Sequence, residues 1–472
     1  MALIAFGYFV GTWQDGNTYS RLALVRAIAV EHRFEIDTTQ LMDEFRAHRT
    51  DDRSFFNGHY YSDKAIGSSL IGAAMWAPVQ ALLRAAGVPA DGRAFTVIAP
   101  FLGVSLLCAM LAPVIYAFVT GLAGGRMALL VTVSLVFGTA IFKYSTGYYG
   151  HVQAGLFLFS AFLIWFGAKQ RRSISGAQAF LSCFLLGYMV VTEYPTAVLA
   201  LVLGCYMLSV LRGLGRLSDW RLYAIGAAGF LLALSPLLYY NVRVYGMPLT
   251  TGYQHHATTK FAAAHAQGLS GIGMPDPVVM MAMTVHPLMG IFWQSPILLL
   301  ALAGWSNMRR TGHHAELWLS LSGILAYVAL ISGYYEWSGG LAYTPRHLIP
   351  ILPLFAIPLG CLPPRWWTFA WCLSALSIAQ HAIPAVGRLD YVARLVRNTL
   401  DANHHPNTFF VSTIWSACWP NLRAGLLLKN RGALFLPMGF ATLLPLLVVE
   451  AGLTLTLYRL ARRGEKESSL SA

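Results

Sequence analysis

Apolar runs close to the length of a bilayer crossing recur along the whole chain, and they restrict it to one class, the integral membrane proteins. A transmembrane helix needs about 20 predominantly apolar residues. Such runs lie at 3–13, 65–86, 94–120, 127–142, 152–168, 176–191, 196–211, 222–240, 285–304, 315–332, 349–362, 366–384 and 432–458. Only 11% of the 472 residues are charged and 56% are hydrophobic, whereas soluble domains carry about a quarter charged residues. The net charge of +13 raises the question of nucleic acid. No basic cluster interleaved with aromatics sits in a soluble stretch, and the basic residues fall in short turns between apolar runs, which excludes that class. Cys108, Cys183, Cys205, Cys361 and Cys372 lie in apolar runs and Cys418 in a polar loop, so no disulfide framework or CxxC metal pair is indicated.

The basic turns orient the chain, because cytoplasmic loops are enriched in Lys and Arg. They contain Lys169, Arg171 and Arg172; Arg212, Arg216 and Arg221; Arg309 and Arg310; Arg365; and Arg459, Arg462 and Arg463. With these inside, the loops 143–151, 191–196, 241–284, 333–348 and 385–431 face outward. Counting backwards puts Arg126 inside and both ends of 65–86 on the outer side. As a full span that run would put the first loop in the cytoplasm and the N-terminus outside; it is expected instead to lie in the outer interface, to which Gly67, Ser68, Ser69, Gly72 and Pro78 are suited. The count then gives about twelve spans, both termini inside and a large outer first loop. No cleavable signal peptide is evident. The short run 3–13 reads as a tilted first helix or as a start lacking a few residues. Within the loop, Leu22, Val25, Ile28 and Ala29 have helical spacing, which predicts an amphipathic surface helix over 21–36.

Polar chemistry concentrates at the outer ends of these runs. Asp15, directly after the first run, is positioned as a general base or as a helix cap. The stretch HYYSDKAIG places Tyr61, Asp63 and Lys64 at the start of the 65–86 helix. There an ammonium suits a lipid phosphate or serves as a snorkelling anchor. Lys143 and His151 bracket a tyrosine-rich outer turn, and Glu193 interrupts two apolar runs; an acid so placed is functional or paired. The tract 239–256 carries Asn241, Arg243, Tyr253, His255 and His256. Its adjacent histidines do not have the i, i+4 zinc spacing, and His404–His405 carries less signal still. In YYEWSGGLAYTPRHLIPILP, Glu336 precedes a glycine turn while Arg346 and His347 open an apolar run. An arginine there suits bidentate phosphate binding or simply snorkels.

Together these stretches resemble the GT-C superfamily of membrane glycosyltransferases, in particular the family 39 protein mannosyltransferases and the lipid A aminoarabinose transferases. The resemblance covers nearly the whole chain through short motifs. Asp63 and Lys64 match an acid and a lysine of the superfamily, whereas Ala65 and Ile66 depart from its Pro-Pro pair, as in a divergent bacterial branch. The fold it implies is an all-α polytopic bundle of about twelve transmembrane helices with interfacial helices in the first outer loop. The chain 1–472 then forms a single membrane domain: outer loop 14–93, transmembrane core 94–384, outer loop 385–431, and last span with cytoplasmic tail 432–472.

The activity the resemblance implies is inverting transfer of a sugar from a polyprenyl phosphate to a hydroxyl of lipid, glycan or protein, on the outer face of the plasma membrane. Asp15 would be the base. Lys64 and Arg346, with Lys143 or His151, would hold the phosphate, and Tyr61, Asp63, Glu193, Tyr253, Glu336 and His347 would line the substrate. Relatives place a divalent metal near the position of Asp63, without a histidine partner assignable here. Two rivals share the composition. A transporter or flippase would place paired ionisable groups near mid-membrane in related halves, whereas here they gather at the outer boundaries. A lipid-linked glycan polymerase or ligase shares the donor side.

Overall fold

The computed structural model of the chain describes residues 1–10, 15–37, 52–88, 93–287, 289–340, 342–386, 430 and 439–470. The middle of the first loop, His404, His405, Cys418 and nearly all of the 385–431 loop lie outside the described residues.

The protein is mostly helical. The main elements are α1 (Ala2–Phe9), α2 (Gly16–Glu31), the strands β1 (Ser54–Phe56) and β2 (His59–Tyr61), α3 (Gly67–Ala85), α4 (Ala94–Ala123), α5 (Gly125–Phe137), α6 (His151–Arg171), α7 (Gly176–Thr192), α8 (Tyr194–Gly213) and α9 (Trp220–Tyr245). They continue with α10 (Pro277–Thr284), α11 (Ala301–Thr311), α12 (His314–Ser332), α13 (Trp367–Val386) and α14 (Leu444–Leu470). Among the described residues six helices are long and apolar enough to cross a membrane: α4, α6, α8, α9, α12 and the stretch Ala441–Ala461. A seventh results if Arg346–Gly360 and Pro364–Ala382, bent by 118°, form one span. α5 and α7 are apolar but shorter.

The run 285–304 differs from a continuous span. It breaks into Ile291–Gln294, a tight turn over Pro296–Leu300, and α11. Pro296 has no N–H to donate and ends the preceding helix. The apolar run at 349–362 likewise starts as a 3-10 segment, Arg346–Phe355, that contains Pro350 and Pro353.

Two compact units are present, one formed by 1–9, 109–143 and 274–472, the other by 10–108 and 144–273. In the first, Phe137 and Phe142 meet edge to face with ring centroids 5.4 Å apart, and Phe6 packs on both. Ser134 on α5 donates to Ser374 on α13 at 2.8 Å. In the second, α7 starts with a capping box, in which Ser175 accepts from the Gln178 amide and the Gln178 side chain accepts from the Ser175 N–H. α7 packs along α9 and α6.

α2 departs from the expected surface helix of 21–36. It starts five residues earlier, capped by Asp15, and ends at His32 in a left-handed conformation with φ 53°. Every side chain from Asn17 to Val25 is buried, because its polar residues find partners inside the protein instead of water. α3 packs on α2 and carries Pro78 within it; Gly67, Ala73 and Trp76 are buried while Met75 and Leu82 project outward. Gly67 sets how closely α3 approaches α7. A Cβ there would lie 2.8 Å from the backbone N and Cα of Thr192, closer than backbone atoms can yield. Gly67→Ala should therefore cost about 1–3 kcal/mol, seen as a lowered melting temperature in detergent, while Gly121→Ala, with open space at its Cβ, should not destabilise. Equal melting of Gly67→Ala and the parent would refute this packing.

Candidate functional site

The site of the second unit begins with a hairpin. Asn57 and Gly58 both have positive φ, 50° and 86°, the conformation that a two-residue primed turn requires. β1 and β2 pair antiparallel with Ser54 opposite Tyr61. The hairpin also holds the 250s loop. Ser54 forms an isolated bridge with His256, the Ala257 amide donates to the Arg53 carbonyl at 2.9 Å, and the Ser54 and Tyr245 hydroxyls lie 2.8 Å apart. His256 is thereby carried to the exit of β2, where Asp63 and Lys64 stand.

Lys64 is the centre of the resulting cluster. Its Nζ donates to Asp52 Oδ1 at 3.0 Å and to Asp63 Oδ2 at 2.9 Å, and lies 5.4 Å from the centre of the Tyr253 ring. The side chains of Lys64 and Asp63 are 8% and 1% exposed, that of Asp52 35%. Burial opposes the lysine charge, but the Asp52 and Asp63 carboxylates outweigh it and hold the ammonium well above the ordinary lysine range. Burial pushes the Tyr253 hydroxyl up to about 12 although Lys64 pulls it down, so it stays a neutral donor. The Tyr253 ring stacks on His265 at 4.7 Å. His256 Nε2 is 3.7 Å from Asp63 Oδ2. Desolvation lowers the His256 pKa despite the neighbouring Asp63, leaving the ring neutral at physiological pH.

Asp52, Asp63 and His256 offer ligand atoms within 4.8 Å of one another, the oxygen and nitrogen donors of a zinc or manganese site. In this arrangement they do not fit a metal, because the Lys64 ammonium already bridges the two carboxylates.

α2 links this cluster to Asp15. The Ser20 hydroxyl lies 2.8 Å from that of Ser62 and donates to Asp63 Oδ1 at 3.3 Å. Asp15 stands five residues earlier on the same helix, about 7.5 Å of axial rise. Its Oδ1 caps the helix by accepting from the Thr18 amide at 2.8 Å, and its Oδ2 accepts from the Tyr149 hydroxyl.

Arg21 anchors α2. Fully buried, it donates to Asn17 Oδ1 at 3.0 Å, the Ala65 carbonyl at 3.0 Å, Ser68 Oγ at 2.7 Å and Glu193 Oε1 at 3.1 Å. His151 Nδ1 lies 3.2 Å from the same Glu193 oxygen. Glu193 and His151 therefore belong to a buried network. Tyr61 is buried, its ring 6.1 Å from that of Tyr245.

No protein-family model, curated protein or solved structure matches the chain. The site therefore has to be read from its own geometry.

The other four expected residues lie in the first unit. Lys143 is buried with its ammonium 5.3 Å from the Tyr343 ring, and the Tyr343 hydroxyl meets His381 Nδ1 at 2.8 Å. His381 Nε2 in turn lies 2.7 Å from Ser295 Oγ. The His347 ring stands edge-on to Tyr334 at 5.5 Å, Glu336 Oε1 accepts from Ser338 at 3.4 Å, and the Arg346 side chain runs close over Gly339.

Of the residues that join this network, Asp52 is not singled out by the sequence, Arg21 falls on the expected amphipathic helix, and His256 stands in the 239–256 tract without zinc spacing. The Asn-Gly pair between SFF and HYY was a readable hairpin signal. The pairing of that hairpin with residue 256 had no local signal.

Arg21 and Glu193 give a direct test. Removing one partner leaves the other charge buried and unpaired, at about 3–5 kcal/mol. Arg21→Met should lower the melting temperature sharply, and adding Glu193→Gln should restore part of it. An Arg21→Met protein as stable as the parent would contradict the network.

Proposed function

We propose that the protein is a polyprenyl-phosphate-dependent glycosyltransferase that transfers a sugar, with inversion, to a hydroxyl of a lipid, glycan or protein acceptor. The observation that carries this reading is the single helix α2, which has a carboxylate at its start and docks the Asp63–Lys64 pair through Ser20. A base for the acceptor and a cation for the donor phosphate thus share one rigid element within the second unit.

In this reading the acceptor oxygen attacks C1 of the sugar, the C1–O bond to the phosphate breaks, and polyprenyl phosphate leaves with the bonding pair. The acceptor proton passes to the Asp15 carboxylate. The contacts from Thr18 and Tyr149 orient that group, and a carboxylate has about four acceptor sites in all. Lys64 receives the phosphate. Asp52, the more exposed of its two partners, is the one an arriving phosphate replaces, while the buried Asp63 keeps the ammonium aimed. Phosphate is a good leaving group, so positioning contributes more than acid assistance. The half-buried Tyr253, with its hydroxyl protonated, offers a ring face and a donor to the sugar. The aromatic residues around it give that sugar an apolar wall.

We further read the chain as crossing the plasma membrane about twelve times, with this site on the periplasmic or extracellular side. The run 3–13, α5, α7 and the segments 285–304, 349–362 and 366–384 would cross in addition to the six long helices. Arg346 and Lys143 are proposed as further phosphate ligands, and Glu336 and His347 as substrate contacts. For Glu193 and His151 the ion network supports a positioning role.

Mass spectrometry of lipids and glycans from cells with and without the gene tests the activity; no sugar-bearing product that depends on the gene would overturn the reading. In the same cells Asp15→Asn should cut transfer by about 10²–10⁴, and Lys64→Gln should raise the donor concentration needed. Full restoration of the product by Asp15→Asn would remove Asp15 as the base.

A further inference from the structure

Two features of the Asp52–Asp63–His256 cluster bear on what cation it takes. The first is the tautomer of His256. Its Nδ1 lies 3.0 Å from the Thr258 backbone nitrogen and accepts that N–H. A backbone amide can only donate, so Nδ1 carries the lone pair and the ring proton of the neutral imidazole sits on Nε2. Nε2 is the nitrogen that faces Asp63, at 3.7 Å from Oδ2. A metal needs a lone pair at that position, and a proton occupies it. The second is Lys64. Its ammonium is bonded to Asp52 Oδ1 at 3.0 Å and Asp63 Oδ2 at 2.9 Å, and the same oxygens would face a bridging ion. Ligand distances of 2.0–2.2 Å are typical of zinc, which would put the ion against the ammonium, and two cations at that distance repel strongly. Asp63 Oδ1 is meanwhile held by the Ser20 hydroxyl at 3.3 Å, so rotating the carboxylate away breaks another contact.

We propose that Lys64 is the resident cation of this cluster, a tethered ammonium in the place of a divalent metal, and that the protein takes no metal there while Lys64 is present. An ammonium covalently attached next to Asp63 needs no ion from solution and cannot be chelated. Its three donors serve the two carboxylates and leave one toward the Tyr253 side, where its charge meets the ring face. The tethered ammonium then balances one of the two carboxylates, and Asp52 remains the exchangeable partner. Removing the ammonium leaves the Asp52 and Asp63 carboxylates to face an ion, a pair of oxygen donors of the kind manganese takes and zinc accepts.

This inference concerns the same cluster as the transferase reading but does not stand on it, because its test needs no activity. The full chain, purified in detergent and dialysed against EDTA, is exposed to zinc or manganese and desalted. Metal content is measured by elemental mass spectrometry, and melting temperature with and without the ion. The parent should hold far less than one ion per chain and melt at the same temperature with EDTA, zinc or manganese. Lys64→Met and Lys64→Gln should each bind about one ion per chain and gain stability as ion concentration rises above Kd. Adding Asp63→Asn to either should abolish that binding. Stoichiometric metal in the parent, lost to EDTA with a fall in melting temperature, overturns the proposal. So does failure of both folded Lys64 variants to bind, since Lys64 would then not be what excludes the ion. If neither variant folds, the parent's metal content and melting decide alone.

Discussion

The buried guanidinium of Arg21 is the constraint on which the second unit depends. An unpaired charge in such a place would cost many kcal/mol, so the chain has to bring acceptors to it from several elements. It draws Asn17 from its own helix, the Ala65 carbonyl and Ser68 from the segment that opens α3, and Glu193 from the end of α7. The acceptors come from three parts of the sequence, and one side chain holds all three together. The orientation of α2 follows from that, and with it the direction in which Asp15 and Ser20 point. Gly67 completes the fit by letting α3 come against Thr192, next to the Glu193 that Arg21 holds.

That rigidity matters at the Lys64 cluster, which is otherwise poorly determined by local sequence. Lys64 and Asp63 are neighbours in the chain, but adjacent residues in extended backbone point apart. Their ion pair at 2.9 Å requires the irregular backbone between β2 and α3. Ser20 and Ser62 fix it from the α2 side, and the hairpin fixes it from the other, through the bridge between Ser54 and His256. The charge balance is then a consequence of position. Two carboxylates surround one ammonium, and the carboxylate that is buried is the one that α2 touches.

How much of this could be read in advance follows the range of the interactions. The helices from 94 to 245 and the helix at 314–332 lie close to where apolar length put them, because a long apolar segment has few alternatives. Apolar runs interrupted by proline, at 296 and at 350–353, read as continuous because counting apolar residues ignores the missing N–H. Residues 21–36 read as an amphipathic helix because Arg21, Arg26 and Glu31 were assigned to water. The period was helical, but Arg21 turned inward to Ala65, Ser68 and Glu193, while Arg26 and Glu31 paired with each other. Asp15 was legible as a cap and as a carboxylate at a boundary, and it is seen in the first of these two roles. Lys64 and Asp63 were legible because they abut an apolar helix start. The meeting of Asp52 with His256 was not, since it depends on pairing across some two hundred residues.

The two ionic groups of this unit separate by how complete their bonding is. Burying a salt bridge seldom stabilises a protein, because desolvation offsets the attraction, so both have to be explained by something other than stability. Arg21 has four hydrogen bonds, is 1% exposed, and has no path to exchange any of them for a ligand without breaking the packing of three helices. It specifies registry. Lys64 is held on one side by a carboxylate that is equally buried, and on the other by Asp52, whose side chain keeps a third of its surface open. One of its bonds can be traded for an anion from outside at little structural cost, since Asp52 can recover its hydration when it leaves. A charge that is buried, aimed and bonded on its outer side to a replaceable partner is arranged for exchange. On that physical ground Lys64, and not the more deeply buried Arg21, is where an anionic ligand should be received.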